Sequence, residues 1–240
     1  MAKLLAFLIT LTVALLGAYA WIRLDVPIER VRVEGPLADA ERIQVSEVVS
    51  ANLHGGMLGA DLEGLRAAIE ALSWPRFVTL RRVWPAGLSI RVEKAMVVAR
   101  WNSAYLTADG QVVQMPGGDQ SLPILNCALS APKDALETYL RMSIVAADEG
   151  LALKQLDENE LGEWTLTFTD GVTLMLGAER LTERFDRFAT VYRQELKARF
   201  DQVAHLDARY ASGLAVRWEP GSATSGALAA NNPTRDGHGI

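Results

Sequence analysis

VTLRRVWPAGLSIRVE, at residues 78–93, contains two extended segments joined by Pro85-Ala86-Gly87. In the second segment, Leu88, Ile90 and Val92 point to one side of a strand, and the polar residues between them point to the other. Proline and glycine in the connection favour a tight turn. We therefore predict two neighbouring strands here, at the end of a folded unit.

A strand and two helices are predicted before this pair of strands. Val31 and Val33 alternate with Arg32 and are followed by Gly35-Pro36, which indicates a short strand and its end. The first helix presents four apolar residues on one face: Ile43, Val48, Val49 and Leu53. The second helix has Asp61 at its N-cap and a stripe made of Leu62, Leu65, Ile69 and Leu72. The order of this unit is therefore strand, helix, helix, strand, strand.

An apolar run from Leu4 to Ile22 precedes this unit. As a helix it would be about 28 Å long, enough to cross the hydrocarbon core of a bilayer. We predict a transmembrane helix at residues 4–22, with residues 1–3 in the cytoplasm because Lys3 favours an inside amino terminus. The alternative is a secretory signal peptide, since Gly17-Ala-Tyr-Ala20 supplies an A-x-A-like cleavage site. Both alternatives place the remainder of the chain outside the cytoplasm.

The residues after about Val97 indicate a second unit with two hairpins and two helices. Asp109-Gly110 and Asp170-Gly171 each separate two strand-like segments and have the chemistry of tight turns. Helices are predicted at 133–147 and 178–200, with seven apolar residues at helical spacing: Leu136, Leu140, Ile144, Leu181, Phe185, Phe188 and Val191. Segments 205–210 and 214–218 close the unit. The tail at 220–240 lacks apolar periodicity, which predicts disorder.

Charge and cysteine content limit the classes of function. The chain has 24 basic and 29 acidic residues, a net charge of −5. A net-negative protein is a poor binder of nucleic acid, because neutralisation of phosphates supplies most non-specific affinity. Cys127 is the single cysteine, so no intramolecular disulfide forms and the fold depends on its hydrophobic core.

No group of residues predicts catalysis or a metal site. The three histidines, His54, His205 and His238, are far apart and none has a second ligand at metal spacing. Gly55-Gly-Met-Leu-Gly59 is similar to a phosphate cradle, but no strand precedes it, which favours a connection between helices. An acidic cluster is either a cation site or, more simply, a solvated turn: Asp157, Glu158, Glu160 and Glu163. We predict a protein that is not an enzyme and has no cofactor.

An ordered set of short motifs resembles the FtsQ/DivIB family of bacterial cell-division proteins. The motifs are Arg81-Arg82-Val83-Trp84-Pro85, Val98–Trp101, Ala108–Val113, Leu206–Tyr210 and Ala215–Trp218. The resemblance covers most of the chain and implies an α+β fold. The implied fold consists of one uncleaved transmembrane helix, a β-α-α-β-β POTRA domain at 27–95 and a β domain with two helices at 96–219.

The resemblance implies a scaffold of the inner membrane, with most of the chain in the periplasm at the division septum. Family members hold FtsB, which arrives with FtsL, and so link early and late division proteins and regulate septal peptidoglycan synthesis. The residues that match the FtsB-binding region are Tyr210, Ser212, Gly213, Leu214, Val216 and Trp218. The alternative function is a POTRA-type chaperone or secretion module that handles exported polypeptides.

Two departures from the family pattern affect these expectations. Ser73 stands before Trp74 where the family usually has proline, which changes the local turn. Ala178 stands where family members often have an arginine that contributes to partner binding. The role of that arginine is therefore absent here or has moved to Arg180 or Arg184.

Two further features have both a binding and a structural interpretation. The closing strand is either an ordinary last strand or an open edge that accepts a strand from a partner, with Tyr210 and Trp218 as aromatic anchors. A side chain at Gly213 would block that approach or distort a special backbone angle. Arg81 and Arg82 point to opposite faces of a strand, so at most one serves a docking surface, and a solvated face is the simpler interpretation.

Overall fold

The computed structural model describes residues 2–220, apart from the side chains of residues 2–6, 18 and 20–24. The predicted disordered tail lies outside the described residues beyond Pro220. The chain forms two compact units. The first contains the residues up to Met96 together with 113–118, and the second contains 97–112 and the residues from Asp119 onward.

The first helix, α1, spans Ala2–Leu24. Large apolar side chains from Phe7 to Leu16 are exposed on it, among them Phe7 itself at 66%. Within the described residues, no helix has both the length and the hydropathy that a membrane crossing requires. The transmembrane segment predicted at 4–22 includes side chains outside the described set, and this prediction is not confirmed.

The first unit has the predicted order of elements. These are β1 (Arg30–Glu34), α2 (Asp39–Asn52), α3 (Leu62–Glu70), β2 (Pro75–Val83) and β3 (Gly87–Lys94). The strand β3 lies in the middle of the sheet, parallel to β1 and antiparallel to β2. Both helices cover one face of this sheet, where the core contains Val45, Val49, Leu65, Ile69, Trp74, Val78, Leu88, Ile90 and Val92.

The two helices of this unit agree with the sequence predictions except at Ile43. Asp61 caps α3 as predicted, because its carboxylate accepts the Gly64 N–H at 2.9 Å. Ile43, predicted on the buried face of α2, is 59% exposed. Val45 and Val49, one helical turn apart, form the buried face instead, because the core lies on their side of the helix.

The turn before β2 forms without the family's usual proline. Ser73 has a φ of 59°, in the left-handed region, and Trp74 follows it into the core. The Trp74 indole N–H donates to Gln44 Oε1 at 2.8 Å, which satisfies the only polar atom of the buried ring. The serine therefore supports the turn by its backbone conformation.

The glycine-rich segment 55–59 connects α2 to α3, as predicted, and it holds a carboxylate of its own chain. Asp25, directly after α1, accepts the N–H groups of Leu58 at 2.9 Å and Gly59 at 3.0 Å. These backbone hydrogen bonds, first that of Gly59 and then that of Leu58, lower the pKa of Asp25. A Cβ on Gly56 would lie 2.3 Å from Asp25 Oδ1, so the glycine permits the close approach.

The second unit is built on a nine-stranded mixed sheet. Its elements are β4 (Val97–Trp101), β5 (Ala104–Thr107), β6 (Val112–Val113), β7 (Ile124–Cys127), α4 (Pro132–Asp148), β8 (Leu153–Glu158), β9 (Trp164–Phe168), β10 (Thr173–Gly177), α5 (Leu181–Val191), β11 (Val203–Asp207) and β12 (Ala215–Trp218). The strand order is β12-β11-β10-β9-β8-β7-β4-β5-β6. The architecture of the chain is thus mixed α+β, as predicted.

Both predicted hairpin turns are present, and the helices differ from their predicted patterns. Gly110 and Gly171 have φ angles of 83° and 94°, which explains glycine at these positions. In α4, Leu140 and Ile144 are 47% and 64% exposed, and the buried residues are Ala135, Leu136, Met142 and Ala146. The predicted long second helix is α5 followed by a π-helical turn at Tyr192–Leu196 and a 3-10 segment at Lys197–Gln202.

Residues 113–118 belong to the first unit, whereas the sequence pattern assigns them to the second. Met115 packs against the first core, and the Gln114 N–H donates to Ser73 Oγ at 3.3 Å. A hydrophobic contact distant in sequence therefore determines where this segment packs.

Candidate partner-binding edge

The strand β12 lies at the edge of the large sheet. It pairs antiparallel with β11, with Val203 opposite Trp218 and Asp207 opposite Ala215. No other strand of the described residues pairs with its outer side. Val216 packs against the core, whereas Ala215 and Arg217 are exposed. The arrangement leaves backbone donors and acceptors along one side of β12 available to another chain.

The neighbouring strand β11 fixes β12 to the rest of the sheet. It runs parallel to β10, with Leu206 opposite Leu174 in the core. His205 Nδ1 lies 2.6 Å from Thr173 Oγ1 across this pair. Burial, followed by the charge of Arg217, lowers the pKa of His205, which favours the neutral ring. His205 therefore has a structural hydrogen bond within the sheet.

One arginine holds the loop between β11 and β12. Arg187 of α5 donates from Nη2 to the carbonyls of Ala208 at 2.8 Å and Tyr210 at 2.9 Å, and from Nη1 to that of Ala211 at 3.0 Å. Its Nε is buried and lacks a hydrogen-bond partner among the described residues. Arg187 carries no motif that marks it in the sequence. The one indication is that it directly precedes Phe188, which belongs to the apolar stripe of α5.

The two aromatic residues predicted as anchors lie at opposite ends of β12. Tyr210 is in the loop before the strand and its side chain is 59% exposed. Trp218 is half-buried at the end of the strand, packs against the core, and has the Arg199 guanidinium 4.9 Å from its ring centroid. The indole nitrogen of Trp218 is buried without a partner among the described residues. The Tyr210 side chain is accordingly accessible on the surface, whereas Trp218 packs within the fold.

The other predicted loop residues divide between core and surface. Ser212 is exposed, whereas Leu214 is 7% exposed and lies in the core, so its side chain is not available to a partner. A Cβ on Gly213 would have no heavy atom within 4 Å, and its φ lies outside the left-handed region. The expectation of a special backbone angle at Gly213 is therefore wrong. The prediction that a side chain there would block an incoming chain is not tested by this geometry.

The arginines near Ala178 differ in their contacts. Arg184 donates to the Leu176 carbonyl at 2.6 Å and is half-buried, and Arg180 is exposed beside Glu183. A third arginine, Arg209, lies between Asp207 at 2.9 Å and Glu163 at 3.5 Å. A Cβ on Gly177 would lie 3.1 Å from Arg209 Cγ. Arg209, which precedes Tyr210, is thus a surface cation that sequence reasoning missed.

Arg81 and Arg82 occupy opposite faces of β2, as the alternation predicts. Arg82 donates to the Ala60 carbonyl at 3.0 Å on the side of the helices. Arg81 lines an open cleft on the other face, with Arg30 and Arg32 of β1.

The groups considered for catalysis have structural contacts. The Cys127 thiol is buried, and burial, followed by the charges of Glu158 and Asp157, raises its pKa to about 12. Glu158 belongs to β8 and not to a solvated turn. Its carboxylate accepts the N–H groups of Leu129 at 3.1 Å and Ser130 at 2.7 Å. Among residues 2–220, no cluster of three or more histidine, cysteine or acidic residues is arranged to hold a metal ion.

Comparisons with known proteins agree with this architecture. Residues 26–94 match the family described as POTRA domain, FtsQ-type, and residues 99–209 match the family described as Cell division protein FtsQ/DivIB, C-terminal. The cell division protein FtsQ of Allochromatium vinosum is 31% identical over 231 residues, covering 92% of this chain and 92% of that protein. The FtsQ of Hahella chejuensis is 30% identical over 209 residues, covering 86% and 74%. Because these similarities extend through both units, the chain belongs to the FtsQ/DivIB family of cell division proteins.

Proposed function

We propose that this protein is a non-enzymatic scaffold of the divisome that binds FtsB, and FtsL through it, along β12. The POTRA domain at 27–95 and the β domain at 96–219 then have separate roles, and the β domain binds this pair. Holding these proteins at the septum links early and late division proteins and regulates septal peptidoglycan synthesis.

The observation that carries the proposal is the open edge of β12 beside an exposed tyrosine. Strand addition supplies backbone hydrogen bonds along the edge, and an aromatic side chain at its start supplies contact area. The family match ends at Arg209, so the residues from Tyr210 to Trp218 are assigned to binding from this geometry and from the motifs they carry.

Charge along the edge favours an acidic partner segment. Arg217 is exposed on β12, and Arg209 is partly exposed at the loop before it. Arg209 is already paired with Asp207 and Glu163. Arg180, exposed after β10, is paired with Glu183. Arg217 is therefore the main cation that this edge offers to a partner. Complementary carboxylates on the incoming strand would set its register and speed its association.

We also assign the amino-terminal segment to the inner membrane as a single-pass anchor with residues 1–3 in the cytoplasm. The support is the apolar sequence from Leu4 to Ile22 and the helix α1 that contains it. A mature protein that begins near Met1 and needs detergent for extraction is the expected result. Mass spectrometry that finds an amino terminus at Trp21 would favour a cleaved signal peptide.

The binding proposal is tested with the full chain in detergent and a peptide of the periplasmic part of FtsB. Tyr210→Ala is expected to weaken binding by about 2 kcal/mol, or roughly thirtyfold, on the scale of an interface hot spot. Gly213→Glu should abolish binding without loss of folding, since a Cβ at this position would have no heavy atom within 4 Å. Leu161→Ala, an exposed apolar residue elsewhere in this unit, is the matched control and should bind normally.

Calorimetry measures the affinities, and circular dichroism checks folding of each variant. Trp218→Ala is informative only if it still folds, because Trp218 also packs against the core. Unchanged affinity in both Tyr210→Ala and Gly213→Glu would remove β12 as the binding edge. Binding of unrelated exported polypeptides with equal affinity would favour the chaperone alternative.

The non-enzymatic assignment has its own test. Cys127→Ser and His54→Asn should support division normally, since the thiol is buried with a raised pKa and His54 has no nearby ligand set among the described residues. Loss of division in a variant that folds and still binds FtsB would indicate chemistry at that residue.

A further inference from the structure

The outer face of the first sheet, opposite its helices, carries a row of arginines. Register places Arg32 of β1 and Arg81 of β2 on either side of Ser89 in β3. Arg30 lies in the next row, opposite Gly87. These residues line a cleft of about 440 Å³.

Among the described residues, these arginines form no ion pair. In the described part of the chain, no carboxylate lies within 4 Å of a side-chain nitrogen of Arg30, Arg32 or Arg81. Glu34 is the acidic residue of the cleft, and it is engaged by Arg91 at 3.2 Å and Ser89 Oγ at 3.4 Å. Because the whole chain has a net charge of −5, this cationic face is not a consequence of overall composition.

Apolar side chains adjoin the arginines at the turn between β2 and β3. Trp84 is 56% exposed and Val83 is 46% exposed, and both line the same cleft. A tryptophan beside several arginines is suited to the headgroup region of a bilayer. There the indole lies at the interface between water and hydrocarbon, and the cations contact phosphates.

Chain length keeps this face close to the anchor. Arg30 follows the last residue of α1, Leu24, by six positions, a span of at most about 21 Å when fully extended. Asp25, the first residue after α1, is bound to Leu58 and Gly59, which ties the start of this connection to the first unit.

We propose that the outer face formed by Arg30, Arg32, Arg81, Val83 and Trp84 docks on a surface of anionic phospholipid. The proposal rests on the proposed function in one respect, that α1 is inserted in the same bilayer. Docking would fix the orientation of the first unit on the membrane.

The test uses the full chain in lipid nanodiscs and hydrogen–deuterium exchange of the peptide that covers residues 80–88. Since an anionic surface attracts cations within a Debye length, we expect exchange to be roughly tenfold slower in discs with about one third phosphatidylglycerol than in phosphatidylcholine discs. The slowing should disappear at about 1 M salt, where the Debye length is about 3 Å. It should also disappear in the Arg30→Gln, Arg32→Gln, Arg81→Gln variant.

The matched control exchanges three exposed cations of the second unit, Lys133→Gln, Arg141→Gln and Lys154→Gln, and should keep the slowing. Exchange that is equal in neutral and anionic discs overturns the proposal. Protection in detergent by a polyglutamate peptide, with none from anionic lipid, would assign the face to an acidic protein segment. Failure of the chain to co-elute with any disc would instead contradict the anchor, so the two failures are distinguishable.

Discussion

In each unit, one charged side chain binds backbone groups and so holds a chain segment next to the proposed binding surface. We call this side chain a tether, and it is an anion in the first unit and a cation in the second. In the first unit, the carboxylate of Asp25 accepts N–H groups from Leu58 and Gly59. In the second unit, the guanidinium of Arg187 donates to three carbonyls of the loop at 208–211. One segment precedes the cationic sheet face, and the other carries Tyr210.

The difference shows how side-chain length determines the need for glycine. The short aspartate reaches backbone amides only where the backbone approaches it, and a Cβ on Gly56 would meet Asp25 at 2.3 Å. The long arginine spans the gap itself, so its loop needs no such approach, and a Cβ on Gly213 would meet nothing within 4 Å. The glycines of the first tether are therefore visible in sequence, although their binding of Asp25 is not, and an arginine tether leaves no comparable pattern.

The largest effect is expected from removing the arginine tether. Arg187→Met keeps the length and packing of the side chain but removes three charged hydrogen bonds, and should lower the free energy of unfolding by about 3 kcal/mol. Urea denaturation of the full chain measures it. Arg187→Lys should not restore stability, because one ammonium group cannot reach the three carbonyls that a planar guanidinium spans.

Arg141→Met, an exposed arginine of the same unit, is the control and should change the free energy of unfolding by less than about 0.5 kcal/mol. If Arg187→Met unfolds like the control, the three hydrogen bonds do not organise the loop. Arg187 would then not act as a tether, and the parallel between the two units would not hold.

A glycine pair tests the first tether. Gly56→Ala should destabilise the first unit by about 2 kcal/mol, since the new Cβ would meet both Asp25 Oδ1 and the Asp25 carbonyl oxygen. Gly213→Ala should leave stability nearly unchanged, as its Cβ enters open space. Thermal unfolding of both variants gives the difference. Equal melting temperatures would show that the aspartate site relaxes without cost.

Acidification should weaken the strand next to the arginine loop before it affects the aspartate tether. The pKa of His205 is lowered in the folded state, so the unfolded chain takes up a proton first as pH falls below about 6.5. The stability that the neutral ring provides is thus present above that pH and declines toward the folded pKa. Melting temperatures between pH 7 and pH 5 should fall more for the natural chain than for His205→Gln, and parallel curves would contradict this.

The smallest effect is expected at Asp25. Its pKa is depressed in the folded state, so its contribution is present above about pH 4 and is lost as pH falls through the folded value. Hydrogen exchange at Leu58 and Gly59 should therefore accelerate in acid beyond the intrinsic trend. Asp25→Asn should show faster exchange at neutral pH and no further acceleration. Amides that stay protected in that variant would exclude the carboxylate as the tether.

The candidate edge was only partly predictable from sequence. Tyr210, Ser212 and Gly213 lie on the surface beside β12, in agreement with a pattern of a break followed by a short strand. Leu214 is in the core, and Trp218 divides its surface between core and solvent. Burial of a residue at the end of a strand depends on which helix covers it, and the strand's own alternation contains no information about that helix.

Sequence by itself determined the order of elements in the first unit, both Asp-Gly hairpins and the Asp61 cap, because each depends on interactions within a few residues. Tertiary structure alone decided that Ile43 and Ile144 are exposed, that residues 113–118 join the first unit, and that Arg187 binds the loop at 208–211. These outcomes depend on partners distant along the chain. Helical periodicity identifies which residues share a face, but the packing of the neighbouring elements determines which face is buried.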